Sequence, residues 1–169
     1  VLVYSKYCWD VLLSLNKSLL EVLAEINKAW NWSGFIASEV ILTNDFGNII
    51  VKTENDGYWR ICPEEVSCFK IADNSSALQL LLTDPEFDLD WKMSRLVNLA
   101  ESELGTLEPD QKFCLKMPTL FGGKYEKENF GKISFSELIQ FSGNLGFQTK
   151  DLKDGDQVTI SPINLPKPL

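Results

Sequence analysis

Several short stretches of this chain carry residue types that could do chemistry, and each lacks a part that the chemistry needs. Asp84-Pro-Glu-Phe-Asp-Leu-Asp90 alternates carboxylates in the manner of a calcium loop. Such a loop needs a glycine at its sixth place and a bidentate Glu at its twelfth. Here the sixth place is not glycine and the twelfth is Arg95, so a solvated turn with helix-capping acids is expected. Gly122-Gly123-Lys124 suggests a phosphate loop, but the motif requires four residues between its glycines and a Ser or Thr after the Lys. Tyr125 follows instead, and a tight structural turn is expected. Asp45-Phe46-Gly47 spells the metal-binding tripeptide of kinases without the glycine-rich loop, strand lysine or catalytic loop that accompany it. It reads as a hairpin turn. Cys62 and Cys68 are six apart, wider than a zinc knuckle spaces its thiols. The chain's 4 cysteines show no disulfide framework and are expected to be reduced, mostly buried thiols of a cytosolic protein.

Composition narrows function further. The chain contains no His, which removes serine and cysteine triads, histidine bases and the histidine metal motifs together. Its 24 Asp and Glu could in principle pair across a cleft as in glycosidases. No pair stands out, and no enzymatic activity, metal or cofactor is expected. A formal net charge of −8 argues against a nucleic-acid groove, which needs clustered Lys and Arg. It suits a basic protein partner, because opposite potentials speed encounter and select partners. The charge is concentrated. Between Asp84 and Asp110, 8 carboxylates stand against Lys92 and Arg95, a local balance of −6, whereas Gln111 to the end carries +2.

No apolar run is long enough for a membrane span. Lys6, Cys8 and Asp10 interrupt the opening Val-Leu-Val-Tyr before it could serve as a secretory apolar region, and a trimmed or processed start is expected. The Asn-x-Ser sequons at Asn16, Asn31 and Asn74 would matter only in a secreted chain and are taken as incidental.

The elements that must position these residues follow from periodicity. Leu12, Leu15, Leu19, Val22, Leu23 and Ile26 recur at helical spacing, with a capping pattern at Ser18 and Glu21 that predicts a restart there. Trp30-Asn-Trp-Ser-Gly34 ends the helix. Strand-like runs follow at Val40–Leu42, Ile49–Val51, Tyr58–Ile61 and Val66–Ile71. Asp56-Gly57 predicts a two-residue hairpin turn between two of them. Asn74 or Ser75 can cap a helix through Leu82, ended by Asp84-Pro85. Asp90 can cap another, with Trp91, Met93, Leu96, Val97, Ala100 and Leu104 on one face and Gly105 as its stop. Phe113–Leu115 and Val158–Ile160 are short strand candidates. Ser134 and Glu137 form a capping box for a helix from Phe135 to Phe147, in which Gly143 and Gly146 imply close packing of another element or an early stop. The fold class is α+β: a single domain with an antiparallel meander, helices packed against it and an N-terminal amphipathic helix.

Read in order, Trp30-x-Trp-Ser-Gly34, Glu39-Val40, Asn44-Asp-Phe-Gly-Asn48, Asp56-Gly-Tyr-Trp-Arg-Ile-Cys-Pro-Glu64, Phe87-x-x-Asp-Trp91, Leu115-Lys-x-Pro118, Gly122-Gly-x-Tyr125, Glu128-Asn129 and Leu138-Ile139 resemble the immunity-protein family of bacterial type VI secretion systems. That family includes protectors against DNase effectors of the Tde type and is related to SMI1-like proteins. The resemblance covers roughly residues 30 to 160. It implies a small cytosolic α+β protein without catalysis or cofactor, which neutralises a cognate effector toxin. A basic nuclease is the partner expected, with no nucleic acid or membrane bound. A non-catalytic SMI1-like regulator or scaffold is the alternative. The expected organisation is an N-terminal helical segment at 1–29, an immunity-type domain at 30–161 and an extended proline-containing tail at 162–169. If the toxin has a basic groove, Asp84, Glu86, Asp88 and Asp90 could imitate phosphates there, and Tyr58 and Trp59 could serve as aromatic anchors.

Overall fold

The computed structural model describes residues 19–55, 57–153 and 156. The expectations for Ser18, Val158–Ile160 and the tail lie outside them. Helix α1 occupies residues 19–29, and its periodic face of Val22, Leu23, Ile26 and Ala29 enters the first core cluster. Its Asn27 side chain pairs with both backbone groups of Ala37, donating to the carbonyl and accepting from the amide at 2.8 Å each. That pair ties the helix to the start of the sheet.

The meander consists of β1 (Ala37–Thr43), β2 (Ile49–Thr53), β3 (Tyr58–Cys62) and β4 (Ser67–Ala72). The strands are antiparallel and adjacent in chain order. The edge strand β1 carries register shifts, as edges that avoid further pairing commonly do. The two inner strands are buried nearly throughout. Because side chains alternate between faces, Ile49, Val51 and Ile61 join α1, whereas Ile50 and Tyr58 join Ala72 and Leu78 on the other side. β2 and β3 pair as expected, with the Thr53 amide donating to the Gly57 carbonyl at 2.8 Å, while Asp56 of the expected turn lies outside the described residues. Gly57 does not take a positive φ there.

On the second face lie α2 (Ser75–Leu82) and α3 (Pro85–Lys92), followed by α4 (Ser94–Leu104). Asn74 caps α2 by accepting from the Ala77 amide at 3.0 Å. Asp84 caps α3 by accepting from the Glu86 amide at 2.8 Å, with Pro85 at the first helical position where its missing N–H costs nothing. The expected helix capped by Asp90 is corrected: Met93 takes φ 47° and splits it into α3 and α4, leaving Asp90 inside the last turn of α3.

A second, smaller sheet lies beside the meander. β5 (Gln111–Leu115) pairs with β6 (Phe130–Ser134), a strand with no clear sequence signal, in a separate two-stranded sheet. Phe46, Phe113, Phe130 and Ala100 form the core between this ribbon and α4. The loop from Lys116 to Asn129 is held by Asn129, whose side chain donates to the carbonyls of Met117 and Lys124 and accepts from the Met117 amide, each at 2.9 Å.

Helix α5 (Phe135–Thr149) begins at the expected cap: the Ser134 hydroxyl accepts from the Glu137 amide at 3.3 Å and donates to the Glu137 carboxylate at 2.7 Å. It packs on the α1 side of the sheet. A Cβ at Gly143 would lie 2.6 Å from the Ala29 carbonyl oxygen, and one at Gly146 would lie 2.4 Å from the Trp32 ring. The close approach expected from those glycines is therefore real. The Trp32 indole uses it to donate to the Gly143 carbonyl at 2.9 Å.

Candidate functional site

Strand alternation points Arg60 of β3 away from α1 and towards α3, into a position where an apolar side chain would be the ordinary choice. Burying a guanidinium is costly unless every donor finds a partner. Nε and Nη2 donate to the Asn48 side-chain oxygen at 3.0 and 2.9 Å. Nη1 pairs with the Asp90 carboxylate. The Trp91 ring lies 5.5 Å from the guanidinium carbon, a favourable cation–π separation.

Asn48, fully buried, serves both signs of charge. Its oxygen faces Arg60, and its amide nitrogen donates to both oxygens of Glu64 at 2.8 Å. This amide orientation alone satisfies both neighbours. Asn48 is in turn placed by Asn44, whose side-chain oxygen accepts from the Asn48 amide at 2.9 Å while its nitrogen donates to the Trp91 carbonyl at 2.8 Å. Asn44–Asn48 is the segment that spells the kinase tripeptide. In the fold it is a turn that buries Phe46, and Gly47 takes φ 74° with Leu138 pressed against it.

Glu64 lies on the tight turn from β3 to β4. Next to it Val66 takes φ 56°, a conformation that costs a β-branched residue about 1–3 kcal/mol. The Glu64 carbonyl accepts from the Thr119 amide at 3.0 Å, which draws in the loop carrying Tyr125. Burial pushes the Glu64 carboxyl up to about 7, although the bond from Asn48 works the other way. Burial likewise raises Tyr125, aided by Glu64 and Glu65, and pushes the Cys62 thiol up to about 12. Cys62, Cys68 and Cys114 are free thiols, and burial raises the latter two as well, so none is predisposed to act as a thiolate nucleophile. Among the described residues, no group of His, Cys, Asp and Glu is arranged to hold a metal ion.

Next to this network opens a cavity of about 440 Å³. Arg60, Glu64 and Asp90 line it on one side, and Leu89, Met93 and Tyr125 on others. The sequence-derived candidates fall unevenly around it. Asp90 is part of the network. Asp84 is committed to capping α3, Asp88 pairs with Lys92 at 2.7 Å, and Glu86 is exposed. Trp59, on the opposite face of the sheet, is partly exposed and packs on Phe35. Tyr58 is corrected as an anchor: it is 6% exposed and belongs to the core with Ile50 and Leu78. Charge counting missed Asn48, Arg60, Glu64 and Tyr125. Their signal was present in the segments that carry the resemblance, in which an Arg interrupts an apolar strand.

A three-layer α+β fold with a buried Arg–Asn–Glu network linking three sequence segments defines the class. Residues 72–146 match the family model of the type VI secretion system immunity protein Tdi1, C-terminal. The match supports a likeness to type VI secretion immunity proteins, and the matched region contains Asp90, Trp91 and Tyr125 of the network. The fold is also similar to the crystal structure of Atu4351 from Agrobacterium tumefaciens, with a TM-score of 0.51 and 15% sequence identity. The similarity covers 75% of this chain and 64% of that one. No curated protein matches the chain.

Proposed function

We propose that this protein neutralises a cognate type VI secretion effector, a nuclease with a basic substrate groove, by covering its active or substrate-binding surface in the producing cell's cytoplasm, without catalysis of its own. The match of residues 72–146 to an immunity family carries the reading. The surface of α3 supports its finer part. Asp84, Glu86, Asp88 and Asp90 project from one short helix, with Leu89 72% exposed among them. A rim of charge around an apolar contact is the composition that steers a protein of opposite sign and then holds it. Trp59 remains a secondary contact. Among the described residues no helix is long and apolar enough to cross a membrane. In this reading residues 30–161 form the immunity-type domain, with 1–29 as a helical segment packed on it and 162–169 as an extended tail.

The test is co-expression with the product of the adjacent toxin gene. Survival of cells that otherwise die, together with co-purification of the two proteins, is the expected result. Killing that this chain does not relieve, with no complex recovered, rejects it.

A further inference from the structure

The cavity beside α3 has a floor that its own network leaves incompletely used. Glu64 is 5% exposed, and the one side chain that donates to its carboxylate is Asn48, whose amide nitrogen reaches both oxygens at 2.8 Å, with the backbone amide of Glu64 itself adding a further bond. A carboxylate has about four lone-pair sites, so acceptor capacity remains. The hydrogen bonds of Arg60 run to Asn48 and Asp90, and none reaches Glu64. Asp90 and Glu65 add two further carboxylates to the lining. The walls contributed by Leu89, Met93 and Leu96 are apolar, and the Tyr125 hydroxyl makes no hydrogen bond within the described residues. The volume of about 440 Å³ exceeds what one long side chain fills, leaving room for water beside it. Leu89 and Asp90 belong to α3, so the cavity opens onto the acidic face.

We propose that this cavity receives one basic side chain, Arg or Lys, of the effector. Its cationic head hydrogen-bonds to Glu64, and its aliphatic stem lies along Leu89, Met93 and Leu96. The proposal deepens the immunity reading and rests on it. Two physical arguments favour a cation over an acid. The partner-free acceptor capacity at the floor calls for a donor, and a charge-assisted bond in a desolvated pocket is the strong kind. Arginine in a central pocket is also a frequent hot spot of protein interfaces. Arg95 also lines the cavity and is exposed. It is the group that an acidic occupant would use instead, and this makes the choice testable.

Affinity for the purified effector is measured for the wild type, Glu64→Gln and Arg95→Ala, with thermal melts confirming that each variant is folded. Glutamine keeps one oxygen for the Asn48 amide, removes the charge and puts an NH2 group in place of the second oxygen. Glu64→Gln is expected to weaken the complex at least about thirtyfold, and Arg95→Ala to leave it unchanged or tighter. A Glu64→Gln variant that binds like the wild type, or an Arg95→Ala variant that loses tenfold or more, overturns the proposal while immunity stands. If the wild type forms no complex, the immunity reading itself fails. A second measurement is independent of the effector: N-acetyl-L-arginine methylamide should shift the Met93 and Tyr125 amide resonances of the free protein, and the norleucine analogue should not. Equal shifts, or none, overturn the cavity's assignment.

Discussion

The two faces of the four-stranded sheet are held by opposite means. Towards α1 and α5 the contact is dry: Ile26, Trp30, Ile49, Val51, Ile61 and Ile139 are all at or near zero exposure, and glycine lets α5 approach the Ala29 backbone. Towards α3 the sheet presents Arg60, neutralised by Asp90 and bridged through Asn48 to Glu64. An apolar layer tolerates changes of shape at a graded cost. A buried charge network fails abruptly, because removing one member leaves the others unpaired. It also stores charge where a partner can reach it, which a dry layer cannot. The proposed effector contact belongs with the second face.

The largest expected effect tests that contrast directly. Asn48→Leu removes the amide between Arg60 and Glu64 and should destabilise the fold by about 3–5 kcal/mol, as leaving a buried ion without its partner does. Chemical denaturation measures it, and a loss below about 1 kcal/mol would mean that water or rearrangement replaces the amide and the two faces are alike.

The next effect is a pH dependence confined to the polar face. The Glu64 carboxyl is raised to about 7 in the folded protein from an ordinary 4.5, so the native state binds the extra proton. Its contribution is fully present below the unfolded value and is lost as pH rises through the folded one. Stability should fall between about pH 4.5 and 7 by roughly 2–3 kcal/mol relative to Glu64→Gln. Parallel stability curves for the two proteins across that range would remove the assigned burial cost.

On the dry face, Gly143→Ala introduces a methyl against the Ala29 backbone. Overpacking of this kind costs about 1–3 kcal/mol, read as a lower melting temperature without any new pH dependence. The smallest effect is expected outside both layers. Glu86→Lys on exposed α3 should change stability by less than about 0.5 kcal/mol, yet slow association with a basic effector and flatten its salt dependence. A stopped-flow rate equal to that of the wild type would separate the acidic helix from the binding surface.

Much of the architecture was legible in the chain. Local pattern alone placed the meander, the Ser134 cap of α5, the Asn74 cap of α2 and the tight packing at Gly143 and Gly146, because each depends on neighbours within a few residues or on a missing Cβ. The break at Met93 was not legible, since the apolar period runs through it and only packing of α3 against Arg60 and α4 against the β5–β6 ribbon separates the two helices. β6 was hidden for a similar reason: Phe130–Ser134 is short and mixed in character, and its partner β5 lies across a long loop.

By itself the sequence determined that the chain forms an α+β domain without histidine chemistry, acidic in its middle and similar to immunity proteins. Charge counting directed attention to α3 because it sees only density along the chain. Tertiary structure decided that Arg60, a single cation inside a strand, would draw Asn48, Glu64 and Asp90 from three separate segments into one network beside a cavity. The reason is electrostatic: a buried guanidinium must be neutralised and hydrogen-bonded wherever partners can be found, and which residues lie within reach is settled only when the strands and helices have packed.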